Sequence, residues 1–473
     1  MALQTEKEKI AHLLRRFGFG ASEAEMEYYS QGGLKGAIDK LINWENVERG
    51  DFIEAGELDE RGIIAQPQIA VLHWYGRALT TQRPLEEKLT IFWHDHFATS
   101  AQKVTSGTAM YQHINTIRDN AGNSFIDLLM AVSKDPAMLF WLDNQENLKG
   151  KPNENFAREV MELFTLGEGN YSEKDVLEAA RCFTGWTVGA SRGRRVVPVR
   201  NDIPRVNAIF YFDEANHDDG QKELLGNKGD FDGEDIVGIL CGHPMTAKYL
   251  SKKMWEFFVY KNPEPALIER LAGNFRQSGL NIRRLVRDIM ESTEFYSEKA
   301  ERKLIKNPID FCLSTSRQLG VGALVTQSLS QAEDFQSKRR ALGPAAQIAQ
   351  ATDNMGMRLM YPPDVAGWDW HEAWISTATM VERVKWADRI FPPNNQGSAL
   401  INNMLSGPAT PDVLVDKMIS VLDVNLPDDK VKILKESATS SAGGAGPIRP
   451  QQLARVANGV ARLIFGSPEF QYA

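Results

Sequence analysis

Four short polar segments hold the side chains whose types and spacing could do chemistry. The longest is Asn153-Glu154-Asn155-Phe156-Ala157-Arg158-Glu159-Val160-Met161-Glu162-Leu163-Phe164-Thr165-Leu166-Gly167. On a helix, Glu159 and Glu162 are three residues apart and share a face, while Arg158 and Glu162, four apart, can pair. Phe156, Val160, Leu163 and Phe164 supply an apolar stripe. Charge is thereby placed at the edge of a core, where holding a cation or shifting a pKa becomes useful. A plain structural ion pair between Arg158 and a glutamate accounts for the same residues.

The second segment is Phe92-Trp93-His94-Asp95-His96-Phe97. Two histidines at i and i+2 lie to one side of an extended chain but are about 200° apart on a helix. They converge on one metal only if the helix ends near His94, and Thr99-Ser100-Ala101 downstream is compatible with such an end. The third is His217-Asp218-Asp219-Gly220, which a surface turn also explains. Asp143-Asn144, closing an apolar helix that contains Trp141, is equally compatible with helix termination. The fourth, Tyr361-Pro362-Pro363-Asp364-Val365-Ala366-Gly367-Trp368-Asp369-Trp370-His371-Glu372-Ala373-Trp374, puts three tryptophans within seven residues. Exposed tryptophan faces would stack on a sugar ring; the alternative is that they plug a helical core.

Imidazole and carboxylate ligands of this kind suit a divalent metal ion, with geometry choosing among zinc, manganese, iron and magnesium. The leading expectation is a metal-dependent enzyme, hydrolytic in class, acting on a small polar sugar- or phosphate-containing substrate. In it His94, His96 and Glu159 are the metal ligands. Glu162, Asp143 and His217 serve as further ligand or general base, and Arg158 as anion partner. Asn144, Asn153, Asn155, Trp368 and Trp370 contact the substrate. A bound cation would lower the pKa of a coordinated water and make it a nucleophile. Two alternatives stand beside this. One is an iron-dependent redox enzyme, although the Glu-x-x-His pattern of di-iron bundles is missing. The other is a non-enzymatic scaffold or partner-binding protein, whose polar motifs are buried networks fixing helix packing and whose tryptophan loop is an interface.

The elements that must position these residues are mostly helices. Ser22 with Glu25 forms a capping box. Pro84 suits a first helical position, with Leu85, Leu89 and Phe92 following at helical spacing. Phe125, Leu128, Leu129 and Val132 repeat that pattern until Pro136 stops it. A helix is expected from about Asn153 to Leu166, ended by Gly167 and Gly169, and the next from Asp175 to Phe183 under a Ser172 cap. Further helices are expected near 234–242, 244–260, 264–278, 281–293, 307–320, 329–350, 376–390, 410–423 and 449–465. The runs Arg195-Val196-Val197 and Ala208-Ile209-Phe210-Tyr211-Phe212 break the rhythm and read as an inserted β-hairpin. Ser437 to Gly446 reads as a flexible low-complexity loop. No repeat of fixed period is visible. The expected fold is mainly α: a large multi-helix globular bundle with a small inserted hairpin. It forms one continuous module, with a helical core over 1–186, the insert over 187–233 and a C-terminal helical part over 234–473.

Composition narrows the classes. A hydrophobic fraction of 42% with 25% charged residues is ordinary globular composition. A net charge of −8 argues against a general nucleic-acid binder, and the basic stretch Arg192-Gly193-Arg194-Arg195 reads as a solvated surface segment. Cys182, Cys241 and Cys312 form no CxxC pair, which fits a reducing compartment; Cys182 reads as a small buried hydrophobe. Neither a secretory signal nor a membrane span is expected, and the chain reads as cytoplasmic. There is no G-x-S-x-G, Walker A or H-E-x-x-H sequence. Leu14-Arg15-Arg16-Phe17-Gly18-Phe19-Gly20 is no dinucleotide fingerprint, since no βαβ unit surrounds it. It reads as a helix C-terminus, with a phosphate contact as the other reading.

Several of these segments carry a likeness. His12 to Gly20, Phe92 to Ala98, Asn153 to Gly167, Phe183-Thr184-Gly185-Trp186, His217-Asp218, Pro362 to Trp368 and the closing Ser467-Pro468-Glu469-Phe470-Gln471 resemble the bacterial domain-of-unknown-function family numbered 1800. The likeness runs from about residue 8 to 472 and assigns no activity. It implies a possible protein partner or shared pathway in a second family resembling sulfatases and phosphatases. The polar insert between Trp186 and Phe210 and the Gly-Ala-Ser-rich loop near the C-terminus depart from the pattern.

Overall fold

The computed structural model describes residues 3–48, 52–192, 195–199, 201–205, 207–394, 398–405 and 407–473. Gly193 and Arg194 of the basic stretch lie outside the described residues. Among those described, 23 α-helices dominate, joined by a three-stranded sheet and a two-stranded ribbon. Helix starts are written locally. Thr5 with Glu8, Ser22 with Glu25 and Ser172 with Asp175 form reciprocal capping boxes. Pro67, Pro84, Pro136, Pro244, Pro308 and Pro450 occupy first-turn positions where no backbone donor is needed.

Two helices lie wholly inside: every residue of Pro84–His96 and of Pro308–Gln318 is buried. A helix buried all round must find partners for each polar side chain it carries. Glu87 accepts from Trp74 Nε1 at 2.9 Å and from the Nε atoms of Arg77 and Arg118, each at 2.8 Å. Lys88 pairs with Asp310 on the other buried helix, tying the two together. Helix Gly107–Asn120 packs on the first of these, Trp74 and Arg77 of helix Pro67–Thr80 reach it at Glu87, and Pro244–Phe258 covers the end of the Asn155–Met161 helix.

The insert differs from a hairpin. The strand β1 (Trp186–Arg192) is central, with β2 (Arg195–Val199) and β3 (Ala208–Phe212) antiparallel on either side. The two runs read as a hairpin therefore pair with β1 and not with each other. A two-stranded ribbon, β4 (Lys222–Leu224) with β5 (Asn227–Gly229), follows. The long helix expected over 329–350 is three: Val321–Ser330, Phe335–Ala341 and Gly343–Asn354. The low-complexity stretch is also corrected. Helix Asp428–Ala442 runs through most of it, because Leu434 and Ala438 are buried, and stops at Gly443 in the left-handed conformation. The three cysteines are buried and free, and burial pushes the Cys182 thiol up to about 12. Among the described residues no helix is long and apolar enough to cross a membrane.

Candidate functional site

The helix Pro84–His96 runs through both histidines before it ends, so His94 and His96 diverge. Each is buried and each holds a different piece of backbone. His94 Nε2 accepts the Met360 N–H at 3.0 Å, which places its proton on Nδ1. His96 Nε2 donates to the Phe164 carbonyl at 3.1 Å, the opposite tautomer. Between them Asp95 Oδ1 accepts the Trp368 N–H and Oδ2 the Trp370 Nε1–H, both at 2.8 Å. Three consecutive polar residues thus pin four groups outside their own helix. Burial lowers the His94 pKa to about 3 and holds His96 well below the usual imidazole range. Burial raises Asp95 to about 6, against the pull of Lys253 and its two donors.

The expected ligand set therefore does not assemble: among the described residues no group of three or more His, Cys, Asp or Glu stands where it could hold a metal ion. Trp368 offers no open face either. It is 6% exposed, with its ring 5.6 Å from that of His94. Trp370 is half-buried and edges onto Phe257 at 4.8 Å and Trp374 at 6.0 Å.

The amides and His217 are likewise engaged in backbone capture. Asn144 Nδ2 donates to Trp186 O at 2.8 Å and to Phe183 O at 3.3 Å. Asn153 Oδ1 accepts the Asn155 N–H at 3.0 Å, and Asn155 Nδ2 reaches Leu142 O at 3.2 Å. His217 Nδ1 donates to Thr184 O at 2.9 Å, while Asp218 pairs with Arg181 at 2.8 Å. Gly185, at φ +82°, admits this docking, since a Cβ would lie 2.7 Å from Asp213 O. Asp143, in the left-handed region at φ 60°, starts a short 3₁₀ turn and pairs with Lys103 at 2.6 Å. Replacing Asn144 by Ala should strand two buried carbonyls and lower stability by about 1–3 kcal/mol; an unchanged urea midpoint would show that these bonds contribute nothing.

Of the candidate residues, Glu159 and Glu162 come together at one place. The Asn155–Met161 helix does not run regularly to Leu166; its last turn, Glu162–Leu166, is a π-helix. Thr165 Oγ1 follows the wider turn and donates to Val160 O at 2.7 Å. Gly167 ends it at φ +76°, with the Tyr249 ring where a Cβ would sit, 3.0 Å away. Such bulges recur at functional sites because they re-aim side chains that a regular helix would stack. Here the turn brings Glu162 to the Tyr171 hydroxyl, which donates to Oε2. Glu159 is half-buried beside it, with no hydrogen-bond or ion-pair partner among the described residues, and its pKa is raised by burial first and by Glu162 second. Arg158 turns away to pair with Glu173 at 2.7 Å and Glu154 at 3.1 Å.

Helix Pro244–Phe258 packs on this turn and adds Tyr249 and Lys253. Tyr249 feels the charges of both Glu162 and Asp95. Burial lowers the Lys253 pKa while Asp95 and Glu256 draw it up. The sequence reading brought Glu159 and Glu162 to this site but missed Tyr171, Tyr249 and Lys253, which stand in no motif. Asp95 was visible between its histidines; its carboxylate was the signal passed over. The arrangement offers two neighbouring carboxylates, one held by a tyrosine and one unpaired, with a second tyrosine close to Glu162.

The sequence model of one family, described as "Protein of unknown function (DUF1800)", matches residues 12–472. No curated protein and no solved structure matches the chain.

Proposed function

The chain belongs to the DUF1800 family, and from that premise we propose that it is an enzyme of the hydrolytic class whose proton transfers are carried by Glu162 and Glu159. The observation that carries this is the π-helical turn, which presents the two carboxylates side by side in different environments. A carboxyl whose pKa is raised, next to a carboxylate held by a hydroxyl donor, is a pairing that general acid–base hydrolysis uses. Glu162, oriented by the Tyr171 hydroxyl, is the base that takes a proton from water. Glu159, with its raised pKa, is the acid that protonates the leaving oxygen as the C–O or P–O bond breaks. A polar sugar- or phosphate-containing ester suits both roles.

The test is a panel of chromogenic phosphate esters, sulfate esters and glycosides assayed with and without chelator. Glu162→Gln should lower kcat by about 10²–10⁴-fold, and Tyr171→Phe should move the acidic limb of the pH profile. Activity indifferent to Glu162→Gln would sink the assignment. The crowding of Glu159 by Glu162 also favours a second reading, in which a divalent cation relieves their repulsion. Near-stoichiometric metal in protein purified without chelator, lost in Glu159→Gln, would support it. A third reading, a partner-binding scaffold, is favoured by the engagement of His94, Asp95, His96, Asn144 and His217 in holding backbone. Its mark is a silent panel together with co-purification of a second protein.

A further inference from the structure

Away from the π-helical turn, the Arg15-Arg16 pair of the first helix leads into a second polar centre. Its middle is Lys306, which is 6% exposed. The Lys306 ammonium lies 3.8 Å above the Phe470 ring and has no hydrogen-bond or ion-pair partner among the described residues. An unpaired buried ammonium is costly, and its neighbours make it more so. Arg15, Arg302 and Arg383 all add positive charge around it, against the carboxylate of Asp423. That carboxylate is already shared, by Arg15 at 2.7 Å and Arg302 at 2.9 Å. The nearby Asp310 is likewise taken, by Lys88 and by Asn307 Nδ2 at 2.8 Å.

Lys306 lines a small niche with Arg15, Ser314, Gln318, Asp310 and Asp423. Ser314 Oγ, on the buried helix Pro308–Gln318, and Arg15 Nε are buried without partners. The niche has a volume of about 10 Å³, room for roughly one oxygen-sized group. Gln318 and Asp423 also line a groove of about 600 Å³ beside it, bordered by Lys7, Glu23 and Glu27.

We propose that this niche is an oxyanion-binding site, in which an oxygen of a carboxylate or phosphate group is received by Lys306 and Ser314 while the body of the ligand occupies the adjoining groove. One added negative charge gives Lys306 the counter-ion it lacks and Ser314 an acceptor. Burial and the surrounding arginines bring the Lys306 pKa down to about 7, so a bound anion also secures its protonation. The site is distinct from the two glutamates and does not depend on the reaction assigned to them.

Two probes separate the sources of the anion: acetate for a carboxylate and inorganic phosphate for a phosphoryl group. Each is titrated at constant ionic strength into the full chain while Tm is read, with chloride as control. Saturable binding by either should raise Tm by about 2–3 °C at a hundredfold excess over Kd. Lys306→Met should abolish the rise, and Ser314→Ala should weaken affinity several-fold. Lys306→Met removes an unpaired buried charge at similar volume, so it should fold at least as well as the parent. If it does not fold, a bromide soak of wild-type crystals decides by anomalous scattering. A bromide peak within reach of Lys306 Nζ supports the site; an empty niche overturns it. Equal Tm responses of the wild type and folded Lys306→Met, or no saturable response to either probe, overturn it too.

Discussion

Lowering the pH from 7 to 5.5 should remove on the order of 5 kcal/mol of stability through four buried histidines alone. His12, His73, His94 and His96 are each at most 2% exposed. Burial is the largest cause that lowers each of their pKa values, to about 4 for His73 and about 3 for His94, and well below the ordinary value for His12 and His96. In the unfolded chain all four titrate near about 6.5. Between that value and the folded pKa the unfolded state binds protons that the folded state refuses. Stability is therefore full above about 6.5 and is lost as the pH falls, by about 1.4 kcal/mol per group for each pH unit. Asp95 works the other way. Its folded pKa of about 6 exceeds the unfolded value, so its contribution is full at low pH and is lost as pH rises through 6. On acidification to pH 5.5 it returns about 1 kcal/mol, which is too little to offset the histidines. A domain with a net stability of about 5–15 kcal/mol should thus approach unfolding near pH 5. Urea midpoints measured from pH 7.5 to 5 would check this, and a flat profile would mean that these rings accept protons in the folded state.

The same buried rings explain where sequence reading succeeded and where it stopped. Helix starts are encoded by neighbours a few residues apart, so the capping boxes at Ser22 and Ser172 and the proline at position 84 place their elements well. The end of the His94 helix depends on contacts far along the chain. Thr99 and Ser100 are compatible with a stop and the helix ends at His96, but both histidines lie inside it and their rings diverge, His94 to Met360 and His96 to Phe164. The motif was conspicuous because its polar groups must be matched inside a core. The partners being mainly backbone atoms, nothing in residue type announced them. The π-helical turn was illegible for a related reason. A single wider turn leaves the apolar stripe of Phe156, Val160 and Phe164 intact while redirecting Glu162 toward Tyr171. Its nearest local trace is Gly167, whose missing side chain admits Tyr249. Strand β1 escaped notice because Thr187-Val188-Gly189-Ala190 lacks the aromatic density of β3, and only its central place in the sheet makes it a strand.

Gly367→Ala should destabilise the protein by about 3 kcal/mol or more, although it adds only a methyl group at a loop position. Gly367 has φ +89°, a conformation that L side chains adopt at a cost, and a Cβ there would lie 2.4 Å from Asp95 Oδ1 and 2.6 Å from Asp95 O. The glycine is what lets the tryptophan loop come close enough for the Trp368 N–H to reach the carboxylate. Asp95→Ala should cost a comparable amount for another reason, leaving the Trp368 amide and the Trp370 indole N–H without their buried acceptor. The two changes should not add. With the carboxylate gone, the closest clash of the new methyl disappears, while the backbone carbonyl and the unfavourable φ remain, so the penalty for Gly367→Ala should shrink without vanishing. Urea denaturation of both single variants and the double variant would read this directly. A coupling near zero would mean that the loop is held by the packing of Trp368 and Trp374 alone. A clear coupling would establish that residues 272 positions apart act as one latch, closing the tryptophan loop over the helix whose last residue, His96, braces the candidate site at Phe164.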